Sequence, residues 1–285
     1  VSASKRDEGV FWARSHFEFA LRTLIIAAVG WTLLSILGIV LMFIPLVGPI
    51  ALNMPGVAFT GMENSLHTAA SLMIVLGCAD YLTSGKVSPA LILALIAAPL
   101  LRYEGLALSL GAVGLIAVGG RWRLGLALAL AVLLPVAAFS AALLAMGLDA
   151  LPVSVLAKTL FAAPELSTTD RAIGNLFHSL EAPEGLYLLA LTLVALGLAS
   201  WPRVALRPLL LLAGLAGVAH LFFAHLGWMH RYEHYILVTL AAAILLGLAS
   251  LPGRVAPWLS LGLLVPGLAC FQPPLYREYI YNPAA

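Results

Sequence analysis

The sequence predicts an all-α, polytopic transmembrane bundle of about seven full spans plus a short helical hairpin, on three observations. Of its 285 residues, 62% are hydrophobic and only 10% charged, whereas soluble chains average about 45–50% and about 25%. The mean hydropathy is +1.03. The apolar residues also gather into runs of about 20, the length a helix needs to cross hydrocarbon. A net charge of +2 without a basic tract excludes nucleic acid as a partner. Membrane lipids are the partner that the composition demands.

Taken in order, residues 1–19 combine Lys5, Arg6 and Arg14 with Phe11, Trp12, Phe17 and Phe19, the mixture of an interfacial lead-in helix. A first span follows at about 21–45, and Pro45, Pro49 and Pro55 then break the helix. A second span covers about 65–83. Residues 88–119 form two short helices in a hairpin whose elbow carries Arg102, Tyr103 and Glu104. Gly119 to Arg123 turns the chain into a span at about 124–147, with Pro135 as a kink. Residues 148–184 form one long polar outer loop, and connections of that length tend to be functional or disordered. Apolar segments at about 185–200, 208–227, 235–250 and 256–271 close the bundle. Gly214 and Gly217 mark a close helix packing.

Basic residues orient the bundle. Ten of the fifteen (Lys5, Arg6, Arg14, Arg22, Lys86, Arg121, Arg123, Arg203, Arg207 and Arg254) fall on one face. By the positive-inside rule that face is cytoplasmic, with the N-terminus of the chain on it. The expected location is the bacterial inner (cytoplasmic) membrane, crossed many times. The whole of 1–285 reads as a single transmembrane domain. Because it begins with Val1 and shows no cleavable signal, it reads as a segment of a longer protein. Cys78 and Cys270 fall toward opposite faces and serve as small apolar core residues.

Charges are scarce, so those on the outer side stand out. The stretch Thr60-Gly61-Met62-Glu63-Asn64-Ser65-Leu66-His67 sets a carboxylate, an amide, a hydroxyl and an imidazole between apolar runs. A carboxylate there needs a cavity or a partner. Glu63, Arg102, Glu104, Lys158 and Arg231 come from four connections on that side and are expected to line one wet cleft. Arginine and lysine together suit a phosphate, one as a bidentate fork and the other as a mobile point charge. The bland alternative is snorkelling residues and internal ion pairs, such as Arg102 with Glu104.

Two histidine groups add alternatives. His230-Arg231-Tyr232-Glu233-His234 fits the H-x-x-E-H pattern of inverted zinc metallopeptidases. A zinc ion there would be held by His230, Glu233 and His234, although a catalytic zinc wants a further protein ligand. Otherwise these residues form an interfacial aromatic belt with Trp228 and Tyr235. His220 and His225 sit inside a span, where hydrogen bonds between helices are the expected role.

Gly61-Met62-Glu63, Arg102-Tyr103-Glu104-Gly105, Leu151 to Lys158 and Arg231-Tyr232 follow one another in that order. The ordered set resembles the GT-C glycosyltransferases that use polyprenyl-phosphate sugars, particularly the bacterial arabinofuranosyl- and mannosyltransferase-like members, over about residues 40–250. Tyr103 stands where that group usually has Pro, and Val153 where it has Asn. The resemblance implies transfer of a sugar from a polyprenyl-phosphate donor to a glycan or lipid acceptor on the outer, periplasmic side. It implies that Arg102, Lys158 and Arg231 neutralise the donor phosphate while Glu63 and Glu104 shape the sugar pocket. It also implies that the catalytic carboxylate lies in an outer loop ahead of this chain, and it leaves room for a divalent metal. The rival classes are the membrane zinc metallopeptidase and a non-catalytic transporter or scaffold subunit.

Overall fold

The first described helix shows how the bundle is assembled. In the computed structural model, residues 64–151, 167–224, 226 and 232–251 are described, all within one compact unit, Gly48–Ala285. Helix α1 (Asn64–Ser84) buries Asn64, His67, Thr68, Ser71, Ile74, Val75, Cys78 and Tyr81. This is one stripe at the helical spacing, polar for two turns and apolar thereafter. Its other faces present Leu66, Met73 and Leu76 outward. Polar groups inward and leucines outward is the arrangement hydrocarbon enforces, because lipid offers no hydrogen bonds.

The hairpin forms as its sequence predicts. Ser88 caps α2 (Pro89–Leu101), accepting from Leu91 N at 3.2 Å, and Pro89 occupies the first turn. Arg102 is extended and ends the helix. Gly105 N donates to Arg102 O at 2.9 Å, and α3 (Gly105–Ile116) runs back. The two helices meet so closely that a Cβ on Gly105 would stand 2.6 Å from the Ala98 carbonyl carbon. A five-residue π-helical turn, Ala117–Arg121, then carries Gly120 at φ 91, a backbone shape that disfavours side chains. It leads into α4 (Trp122–Ala145), which buries Gly125, Leu128 and Val132 and exposes Leu126, Leu130, Leu133, Leu134 and Phe139.

The polar connection is more structured than its composition implies. Ser167 Oγ accepts from Asp170 N at 3.1 Å and starts α5 (Thr168–Glu181). Helix α5 lies on the end of the bundle, where Asn175 Nδ2 donates to Phe222 O at 3.3 Å. Helices α6 (Pro183–Ser200) and α7 (Arg207–Phe223) then pack through the predicted glycines. A Cβ at Gly217 would collide with Thr192 Oγ1, and one at Gly214 would meet Leu196 Cγ at 2.7 Å. Helix α8 (His234–Ala249) buries twelve residues on every side, packed among α1, α6 and α7. A helix apolar all round is a central helix.

Every regular element among the described residues is a helix, as the sequence predicts. Three helices, Asn64–Ser84, the bent Gly105–Ala145 and Pro183–Ser200, are long and apolar enough to cross a membrane, which marks the chain as a membrane protein. The segments expected at 208–227 and 235–250 are apolar but shorter, Arg207–Phe223 and His234–Ala249. The lead-in helix 1–19, the span 21–45, the prolines at 45–55, the span 256–271 and Cys270 lie outside the described residues.

Helix directions define two ends. One, the elbow end, holds the start of α1, the α2–α3 elbow, α5 and the α7–α8 connection. The far end is tied by Tyr81 Oη donating to Ile116 O at 3.2 Å and Ala205 N to Ser250 Oγ at 3.2 Å. Among the described residues Lys86, Arg121, Arg123, Arg203 and Arg207 sit at the far end, and Arg102 and Arg171 at the elbow end. The described acids invert this: among them only Asp80 is at the far end. We predict that Gly217→Leu, which wedges α6 from α7, lowers stability by about 1–3 kcal/mol. Gly197→Ala, with nothing within 4 Å, should leave thermal unfolding in detergent unchanged.

Candidate functional site

Burying a guanidinium requires that its donors be filled and its charge be met. Arg102, with a side chain 6% exposed, meets both needs at the elbow. Its Nη2 lies 2.9 Å from Glu104 Oε1 and its Nε 3.5 Å from Oε2, a fork on one carboxylate. Its Nη1 donates to Asn64 Oδ1, linking the elbow to the first turn of α1. Its Cζ stands 5.1 Å from the centroid of the Tyr232 ring, within cation–π range. Three connections are thereby fastened at one point.

The elbow sequence sets this up. The extended Arg102 and the turn to Gly105 bring residues 102 and 104 to the same side. Glu104 also sits at the N-terminus of α3, where the helix dipole favours negative charge. Burial alone would raise its carboxyl pKa, but the Arg102 hydrogen bond and charge outweigh it and hold it below the ordinary value.

Beneath the elbow lies a second polar layer. The His67 and Tyr235 rings are 4.4 Å apart, tilted at 45°, and His220 stands edge-on to Tyr235 at 5.4 Å. Tyr235 Oη and His220 Nδ1 are hydrogen-bonded at 3.1 Å, as are Thr68 Oγ1 and His234 Nδ1. Arg102 and Glu104 lie near enough to act electrostatically on His67, His220 and Tyr235. Three helices and the elbow thus bring polar side chains to one end of an otherwise apolar bundle.

Of the residues singled out by sequence, the structure brings Arg102 and Glu104 together, as the ion pair that was the bland alternative. Tyr232, from the Arg231-Tyr232 motif, joins them. Glu63, Lys158 and Arg231 lie outside the described residues. Their described neighbours Asn64, Leu151, Ser167, Leu226 and Tyr232 belong to connections at the elbow end. The expected wet cleft is not what surrounds Arg102, which is buried. Among the described residues a cavity of about 640 Å³ opens at the far end, lined by Leu196, Pro202, Val204, Arg207 and Leu211.

His220 forms the inter-helix hydrogen bond expected of it, while His225 lies outside the described residues. The aromatic belt is corrected: Tyr235 is 5% and His234 4% exposed, because α8 is central and its first turn faces α1 and α7. Of the zinc alternative, His230 lies outside the described residues, Glu233 is fully buried and His234 faces Thr68. Among the described residues no three His, Cys, Asp or Glu side chains are grouped to hold a metal. Sequence reasoning singled out His67 within the Thr60–His67 stretch but gave it no role in the site, and did not reach Thr68 or Ser71. Their spacing from Asn64, at i+3, i+4 and i+7 in an apolar helix, was the signal.

No family model, curated protein or solved structure matches the chain.

Because the folded pKa of Glu104 is depressed, its ion pair contributes stability that is present above the ordinary value of 4.5 and lost as pH falls through the lower folded value. Acid should therefore destabilise the wild type. Glu104→Gln should unfold more easily at neutral pH and lose part of that acid dependence, read as thermal midpoints across pH.

Proposed function

We propose that the protein is a membrane glycosyltransferase that moves a sugar from a polyprenyl-phosphate donor to a glycan or lipid acceptor, with the elbow end facing the periplasm. The observation that carries this reading is Arg102. Its charge is oriented by Glu104 and Asn64 at the end to which the connections bearing Glu63, Lys158 and Arg231 also attach. A leaving phosphate is best stabilised by cations fixed beforehand in a site shielded from bulk water. Arg102 supplies a fixed charge whose Nε and Nη2 are held by Glu104, and Lys158 and Arg231 supply the remaining positive charge. Glu104 holds Arg102 in place, and Glu63 borders the sugar.

The clustering of Lys86, Arg121, Arg123, Arg203 and Arg207 at the far end supports placing that end in the cytoplasm of the bacterial inner membrane.

The test is transfer from polyprenyl-phosphate sugars in membranes carrying the full protein. Arg102→Ala, Lys158→Ala and Arg231→Ala should each lower kcat/KM by about 100-fold or more. Arg102→Lys keeps the charge but loses the fork, and should recover only part of it. Normal transfer by all three alanine variants would end the idea.

A further inference from the structure

The ion pair at the elbow leaves a set of polar atoms unused. His67 is 1% and His220 3% exposed, yet Nε2 of each has no hydrogen-bond partner. Asn64 Nδ2, one turn from His67, is in the same position, as are the Tyr103 hydroxyl at the elbow and Ser109 Oγ one turn into α3. A buried polar atom left alone is costly, and native proteins keep few of them. Five from three helices and one elbow, all at one end of the bundle, exceed what helix packing needs.

Geometry ties several of them together. Both imidazoles pack on the single Tyr235 ring. The start of α3 packs against this layer through Gly105, where a Cβ would lie 3.0 Å from His67 Nε2. The chemistry of the set is uniform as well. An amide, two imidazoles, a phenol and a hydroxyl can each exchange hydrogen bonds with a group that both donates and accepts. The neighbouring charges, Arg102 and Glu104, are engaged with each other. Among the described residues the polar atoms left over here belong to amide, imidazole, phenol and hydroxyl groups, which match a neutral polyol hydroxyl for hydroxyl.

We propose that His67, His220 and Tyr235, with Asn64 and Tyr103 beside them, bind the neutral, hydroxyl-rich portion of the substrate, His67 Nε2 and His220 Nε2 each meeting a ligand hydroxyl. This rests on reading the site as one of sugar transfer, and it divides the labour. The cations hold the phosphate, and this layer holds the sugar.

Equilibrium binding to the full chain in nanodiscs tests it, with bare polyprenyl phosphate, a panel of polyprenyl-phosphate pentoses and hexoses, and the matching methyl glycosides. Wild type should prefer a sugar-bearing lipid to the bare one. His67→Leu and Tyr103→Phe should each cut that preference about tenfold, the scale of a lost hydrogen bond in a polar pocket, with bare-lipid binding unchanged. His67→Gln, which keeps a hydrogen-bonding group, should restore part of it. Tyr103→Phe also guards against misfolding, since removing a hydroxyl that has no protein partner strands nothing. An unaltered preference in correctly folded His67→Leu and Tyr103→Phe overturns the proposal and leaves water as the occupant. Should wild type ignore every polyprenyl phosphate yet bind a methyl glycoside through His67, the donor reading falls and the hydroxyl site stands. Binding of no hydroxyl-rich ligand of either kind overturns the site.

Discussion

A buried guanidinium at the end of an apolar helix bundle dictates much of what surrounds it. Its desolvation is costly enough that the charge must be met by a carboxylate, and its remaining donors must be filled. Glu104 and Asn64 do this from the elbow and from the first turn of α1, and Tyr232 adds its ring face. The two-residue separation of Arg102 from Glu104 suffices only because α2 stops at Arg102 and Gly105 lets α3 return against Ala98. One ion pair therefore fixes the hairpin, the start of α1 and the approach to α8 together.

The same constraint explains the sidedness of α1. A helix in hydrocarbon cannot expose Asn64, His67, Thr68 and Ser71, so these must turn toward protein, and α8 and the elbow are what they meet. Their bonds to neighbours, Thr68 with His234 and Ser71 with the His67 carbonyl, satisfy some of the polar atoms. The imidazole nitrogens left over are the part of this layer that packing alone does not account for. Stability and chemistry are thus drawn from one stripe: its apolar turns hold the core, and its polar turns form the site.

Much of the fold was legible because a membrane makes the code simple. Apolar runs separated by Pro, Gly and charge gave α1, the hairpin, α4, α6, α7 and α8 within a few residues, and Gly214 and Gly217 were read as close-packing positions. Helix α5 was not foreseen, because its polar composition resembles a loop until the cap at Ser167 and the inward row of buried Ala172, half-buried Leu176 and buried Ser179 are seen together. Tyr235 was placed at the interface because a tyrosine beside Trp228 reads that way. Only the central position of α8 puts it inside.

The sequence by itself determined that this chain is helical and membrane-spanning, with Arg102 and Glu104 together on a tight elbow. Composition, run length and the Gly105 turn are local properties that need no knowledge of the rest of the fold. Which polar residues meet was decided only by tertiary structure. His67, His220 and Tyr235 lie on three helices far apart in the chain, and no periodicity within one helix reveals what faces it from another. Their meeting depends on how α1, α7 and α8 are rotated about their axes, and that rotation is fixed by packing between helices.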